Sequence, residues 1–243
     1  MLVAGPFLGS AYAKETKKQP DAKWTGLYAG LNFGGGIGRA VTSFLWYPPS
    51  RLNPSLATPN KIKPTDNGVF AGGQFGYLWQ RDRFVFGGES DLQYSFMSGS
   101  GSLTDVIVEP PFAGVTGTLS GRQMNRWFGT TRARVGFALP FKTLVYGTGG
   151  MAYADLRDGA NLVFPSTGVS YPASVHKWKG GWVVGGGMEY KLKTKWSLRG
   201  EYLYYNLGHQ HFQTPMNTIT GYITKYNMGS DGHLFRVAAN YRF

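Results

Sequence analysis

The connections in this sequence alternate in length, and that alternation constrains the fold more than any single motif. Eight segments carry a period-two alternation between apolar and polar or small residues: 24–35, 69–80, 84–96, 124–137, 143–154, 179–192, 196–207 and the terminal run 234–243. The stretches between them run long, short, long, short, long, short, long: 36–68, 81–83, 97–123, 138–142, 155–178, 193–195 and 208–231. Segments of this length suit tilted membrane-crossing strands of about 9–11 residues. Short turns at one end and long loops at the other are the pattern of a transmembrane barrel. A soluble sandwich has no reason to sort its loops this way. The expected fold is all-β: an eight-stranded antiparallel up-and-down transmembrane β-barrel with four long extracellular loops and both termini periplasmic.

Parity within the segments assigns the two faces, because successive side chains of a strand point to opposite sides. The first segment sets Leu27, Ala29, Leu31 and Phe33 against Gly26, Tyr28, Gly30, Asn32 and Gly34. The fourth sets Trp127, Ala133, Val135 and Phe137 against Thr130, Arg132 and Arg134. The last sets Phe235, Val237, Tyr241 and Phe243 against Arg236, Asn240 and Arg242. Soluble domains ordinarily end in a polar, poorly ordered tail, whereas this run keeps its apolar face to the final aromatic residue. In a soluble, lipocalin-like barrel the aromatic parity would face inward, stranding Glu89, Asp91, Arg132 and Arg134 outside. Aromatics near segment ends, including Trp24, Trp79, Trp127, Trp182 and Trp196, suit interfacial girdles.

Composition agrees. Charged residues are 16% of the 243, against a usual ~25%, while 36 glycines and 16% aromatics fit short strands and tight turns. No run of about 18 apolar residues exists to form a membrane helix. There is no cysteine, which removes disulfides and zinc–thiolate sites. Residues 1–13, ending in Ala11-Tyr12-Ala13, read as a signal-peptide remnant lacking its basic region, so the true start is expected upstream. Residues 14–23 read as a flexible periplasmic leader, and 24–243 as one barrel domain.

Several segments also resemble a known family. Trp24-Thr25-Gly26-Leu27-Tyr28-Ala29-Gly30-Leu31-Asn32, Gly88-Glu89-Ser90-Asp91-Leu92-Gln93-Tyr94, Arg132-Ala133-Arg134-Val135-Gly136, Thr148-Gly149-Gly150-Met151-Ala152-Tyr153, Gly181-Trp182 through Glu189-Tyr190, Glu201-Tyr202-Leu203-Tyr204 and Tyr241-Arg242-Phe243 are similar, in order, to the small alphaproteobacterial outer-membrane barrels. That "porin family" group includes surface antigens and hemin-binding proteins. The resemblance covers all eight segments and fails in the loops. It implies an eight-stranded barrel like the OmpA transmembrane domain and a place in the cell envelope, more than any particular chemistry.

The polar parity carries Glu89, Asp91, Arg126, Arg132, Arg134, Glu189, Arg199, Glu201 and Arg236. An eight-stranded barrel is just wide enough for side chains to fill it, and an unpaired buried charge costs several kcal/mol. These groups are therefore expected to interlock as a salt-bridge plug rather than line a pore, although a narrow water path is an alternative. A catalytic carboxylate pair is disfavoured, because arginine neighbours keep carboxylates ionised. Arg242 shares the inward parity but is expected at the periplasmic mouth, outside the network. Tyr241 and Phe243 are expected to serve as insertion signal and girdle.

His176, His209, His211 and His233 fall in or beside the last two long connections. His209-x-His211, with Tyr222 and Tyr226, offers candidate ligands for hemin iron or a metal, though solvated loop histidines are commoner than ligands. No cofactor is otherwise implied. The net charge of +12 is concentrated in the leader, the short turns and the first long loop. That placement favours anionic lipid and lipopolysaccharide phosphates as partners. No basic helix or stacking platform points to nucleic acid. Gly34-Gly35-Gly36-Ile37-Gly38 has no following helix to cradle phosphate, and no Ser/His/Asp order holds up. The expected protein is a monomeric, non-enzymatic barrel, handled by the outer-membrane insertion machinery and structural or antigenic in role; a hemin-binding barrel is the alternative.

Overall fold

In the computed structural model, residues 22–47, 61–63, 65–106, 114–192, 195–213 and 223–243 are described. The signal-peptide remnant, most of the leader and Tyr222 lie outside them. The strands are β1 (Gly26–Tyr47), β2 (Lys61–Ile62), β3 (Thr65–Arg81), β4 (Phe84–Val106), β5 (Thr116–Leu139), β6 (Thr143–Phe164), β7 (Val169–Lys191), β8 (Trp196–Gln213) and β9 (Ile223–Arg242). Each long strand pairs antiparallel with the next, and the two-residue β2 adds to β1. β1 also pairs with β9, from Tyr28↔Arg242 to Tyr47↔Ile223. That last ladder closes the sheet and leaves no free edge among the eight long strands, as a barrel in lipid requires.

Both ends of the described chain lie at one end of the barrel, called here the terminal end. The tight turns are also there. Asp82 between β3 and β4, and Phe141 and Lys142 between β5 and β6, take positive φ values of 54°, 61° and 59°. Side-chain and turn bonds brace these corners: Gln80 Nε2 donates to the Asp82 carbonyl at 2.8 Å.

The strands run past the expected spans. At 17 to 24 residues they exceed the ~9–11 that a bilayer needs, so the surplus projects beyond the far end as paired hairpin arms. The stretches 97–123 and 155–178, expected as loops, are mostly ladder. β4 and β5 stay paired to Val106↔Thr116, and β6 and β7 to Phe164↔Val169. The outer faces of these arms carry Ser, Thr, Gly and Arg rather than apolar residues, so they lack the outward apolar parity that marks a membrane strand. Inward, Leu119, Ala160, Leu162, Phe164 and Tyr171 pack with Ile62 and Tyr226 as an apolar cluster.

Three strands carry irregularities: β4 between Tyr94 and Met97, β5 between Asn125 and Trp127, and β8 between Asn206 and His209. The one in β5 matters most. From Asn125↔Leu156 to Trp127↔Asp155, β5 advances two residues while β6 advances one, so Arg126 is the extra residue. Below it the inward residues are Phe128, Thr130, Arg132 and Arg134; above it they are Asn125 and Gln123. A bulge re-aims side chains, and here it switches the inward parity.

Outside, Leu31, Phe75, Trp79, Met151, Trp182, Val237 and their neighbours form an exposed apolar belt. Inside, burial is layered. Trp24, Tyr28, Leu78, Val85, Leu144 and Tyr146 pack together near the terminal end. Phe70, Phe128, Val183, Leu203, Tyr205 and Leu234 form a second layer further along. Trp24, expected in the girdle, is instead buried with Ala22 of the leader, and its backbone N–H donates to Gln80 Oε1 at 2.7 Å. It precedes β1 but keeps the inward parity of Tyr28.

Candidate functional site: the charged lumen

Between the two apolar layers lies a sheet-spanning set of charges. Glu89 and Asp91 come from β4, Arg132 and Arg134 from β5, Glu189 from β7, Arg199 and Glu201 from β8, and Arg236 from β9. Each occupies an inward position of its strand, and all are buried.

Glu89 is the hub. Its carboxylate accepts from Arg132 Nη2 at 2.5 Å, Arg134 Nη1 at 3.2 Å, Arg236 Nη2 at 3.3 Å and the Tyr28 hydroxyl at 2.6 Å, and it pairs with Arg199 Nη1. Asp91 meets Arg132 Nη2 at 2.9 Å and Arg236 Nη2 at 3.0 Å, and accepts from Thr130 Oγ1 at 2.7 Å. Glu201 takes Arg236 Nη2 at 2.5 Å, Arg132 Nη1 at 3.1 Å and the Tyr146 hydroxyl at 2.7 Å. Glu189 holds Arg134 Nη2 at 2.9 Å and the Ser197 hydroxyl at 2.6 Å. Beside them an amide chain runs from Asn32 Nδ2 to Gln74 Oε1 at 2.5 Å, and from Gln74 Nε2 to Asn240 Oδ1 at 2.7 Å.

Four carboxylates thus face four guanidiniums in the buried interior. Desolvating eight charges is expensive, and only dense pairing of this kind offsets it. Every carboxylate is held by at least one arginine and one further donor.

Two sequence expectations need correction. Arg126 is exposed and makes no contact with the network, because it is the extra residue of the β5 bulge. Arg242, placed outside the network, is only 7% exposed and lies 4.0 Å from Glu189, over the rings of Trp24 and Tyr28. The barrel narrows onto Trp24 there, so the arginine is covered rather than solvated. Sequence reasoning missed Tyr28, Tyr146, Thr130 and Ser197 as hydrogen-bond donors; Tyr28, Thr130 and Ser197 share the parity already read as inward in their segments, whereas Tyr146 lies in 143–154, where three glycines leave the parity ambiguous.

The four histidines lie on strands rather than loops. His176 Nε2 meets Asp155 Oδ1 at 2.5 Å, and His233 Nδ1 meets the Tyr202 hydroxyl at 2.7 Å. His209 and His211 lie on β8 opposite Gly229 and Asn227. Tyr226 is buried, its hydroxyl donating to the Tyr171 carbonyl at 2.9 Å. The structure does not bring the histidines together with a third ligand: among the described residues no group of three or more His, Cys, Asp or Glu is arranged to hold a metal.

Beyond the belt, at the far end, Asp66 and Asp158 are buried inward. Burial, and then Asp158, push the Asp66 carboxyl up to about 7. Burial raises Asp158 to about 6, opposed by Gln123 and Lys179.

A family model described as an outer membrane protein beta-barrel domain matches residues 2–243. The chain belongs to the outer-membrane β-barrel family. It is 34% identical over 227 residues to the 31 kDa outer-membrane immunogenic protein of Brucella melitensis, covering 90% of this chain and 84% of that one. It is 27% identical over 252 residues to the 25 kDa outer-membrane immunogenic protein of the same organism, covering 98% and 93%. Among solved structures, OprG from Pseudomonas aeruginosa aligns over 93% of this chain and 98% of its own, with a TM-score of 0.52 and 12% identity, a likeness of fold alone. The exposed apolar belt of this family member therefore faces outer-membrane lipid, and its charged set lies in the barrel's interior.

Proposed function

We propose that this outer-membrane protein is a closed-lumen surface barrel, structural and antigenic in role and without catalysis. In this reading both termini are periplasmic and the hairpin arms stand in the medium. The observation that carries it is the layered lumen: eight mutually paired charges bounded by an apolar layer on either side. An ion would have to break buried salt bridges to pass, at several kcal/mol each. The names of the Brucella relatives describe immunogenic proteins, which supports a surface role. Tyr241 and Phe243 meet edge to face at 5.4 Å on the outer face of the closing strand, a position suited to recognition by insertion machinery.

The test is planar-bilayer recording of purified, heat-modifiable monomer. The expected result is no stable conductance. Reproducible nanosiemens channels would overturn the closed lumen.

A further inference from the structure

Above the belt, the outer face of β5–β7 carries a basic ledge that the lumen does not explain. Cross-strand pairing builds it in rows. One row runs Tyr94–Trp127–Asp155–Trp178, the next Ser98–Met124–Arg157–His176, the next Ser100–Arg122–Gly159–Ser174, and the last Ser102–Ser120–Asn161–Pro172. Arg122 and Arg157 are exposed diagonal neighbours on adjacent strands, and Arg126 is exposed just below them. Among the described residues none of the three has an ion pair.

Like charges this close repel one another. Among the described residues the one carboxylate on this face, Asp155, is 5% exposed and engaged by His176. Asp158 borders the area through its strand, but its side chain is buried on the inward parity. Two adjoining grooves share Arg122 and Gly159. One, of about 530 Å³, is lined by Ser100, Ser102, Ser120 and Asn161; the other, of about 430 Å³, by Arg157, Ser174 and His176. Gly159 leaves the floor open, since a Cβ there would meet nothing nearer than the Ala173 carbonyl at 4.0 Å. Directly below, Trp127 and Trp178 expose 39% and 61% of their surface at the top of the apolar belt, the depth where indoles favour the headgroup boundary.

We infer that this ledge binds a phosphorylated, acylated sugar of the outer leaflet. The guanidiniums suit phosphate by charge and by their forked donors. The serine and asparagine side chains of the upper groove suit sugar hydroxyls. The belt beneath Trp127 and Trp178 receives the acyl chains. The three chemistries adjoin one another, as the phosphates and acyl chains carried on one sugar do. The site rests on the proposed orientation, which puts the far end outside the cell.

The test uses the folded barrel in detergent, titrated with a diphosphorylated, hexa-acylated glucosamine disaccharide and followed by native mass spectrometry. Parallel titrations use its dephosphorylated form, phosphatidylglycerol and glucose 1-phosphate. Removing charge-assisted bonds at two arginines should weaken binding by roughly a hundredfold, so Arg122→Ala/Arg157→Ala is expected to lose the glycolipid. Arg39→Ala, exposed on β1 away from the ledge, should bind like wild type. Equal binding by the double variant, an equal loss in Arg39→Ala, or phosphatidylglycerol or glucose 1-phosphate matching the glycolipid would each overturn the site. Heat-modifiable migration verifies that each variant is folded. Protease access to the 165–168 turn on intact cells reports orientation separately: a protected turn overturns the orientation and the site together, while an accessible turn with unchanged binding by the double variant overturns the site alone.

Discussion

Arg134 lies over the face of Tyr146, its guanidinium carbon 3.8 Å from the ring centroid, while its Nη2 reaches Glu189 at 2.9 Å. One side chain thereby joins the apolar layer near the terminal end to the charge layer. A desolvated cation–π contact is worth about 2 kcal/mol, and lysine supplies neither the planar stack nor the fork. Arg134→Lys is therefore expected to lower stability by about 2–3 kcal/mol in urea titrations of the barrel in lipid vesicles. A variant as stable as wild type would show that the stack contributes nothing.

Glu89 gathers Arg132, Arg134, Arg199 and Arg236 onto one carboxylate. Glu89→Gln leaves buried guanidiniums uncompensated, at an expected cost of about 3–5 kcal/mol. Adding Arg199→Met removes one of the orphaned charges, so the double variant should be more stable than Glu89→Gln alone. A double-mutant cycle measures this coupling; strict additivity would contradict a shared network.

The far-end acids make stability depend on pH. Asp66 and Asp158 are raised in the folded state to about 7 and about 6, above the unfolded value of about 3.9. The folded protein binds more protons than the unfolded one within that window, so stability falls as pH rises through it. Below about pH 4 no penalty exists; above about pH 7 it is complete, on the order of a few kcal/mol. Hydrogen exchange of the β3 and β6 arms at pH 5 and pH 8 is the measurement, with faster opening expected at pH 8. Asp66→Asn should flatten the difference.

Glycine makes room for the phenols. A Cβ on Gly76 would sit 2.5 Å from the Tyr28 hydroxyl, and one on Gly187 would sit 2.5 Å from the Gly200 carbonyl and 2.6 Å from the Tyr146 hydroxyl. Gly187→Ala should displace Tyr146 from Glu201 and cost about 1–3 kcal/mol as overpacking. Thermal unfolding of the variant, compared with Gly200→Ala where a Cβ meets nothing within 4 Å, separates the clash from a general glycine effect.

Parity, loop sorting and the closing strand were legible in the sequence because a lipid-facing wall forces period-two alternation. The inward positions of Glu89, Arg132 and Arg236 followed from that alternation. Arg126 did not, because one inserted residue reverses the count and leaves no local signature. The hairpin arms were unreadable as membrane strands for a related reason: Ser100, Ser102, Thr118 and Ser120 occupy the outer face, and the apolar side, with Leu119, Leu162, Phe164 and Tyr171, is the inward one. Trp24 opens the first segment on the inward parity of Tyr28, so its burial follows the alternation; its place at a segment end suggested the girdle instead. The pairing within the lumen was beyond sequence, since parity gives a side chain its face but not its partner.

Charge balance in the lumen has an electrical consequence. Moving one elementary charge through 100 mV involves about 2.3 kcal/mol. Glu89, Asp91, Glu189 and Glu201 are matched by Arg132, Arg134, Arg199 and Arg236, so a potential across the membrane pulls equally and oppositely on groups bonded to each other. These eight carry no net gating charge, and Arg242 beside Glu189 is the unbalanced cation that voltage can act on.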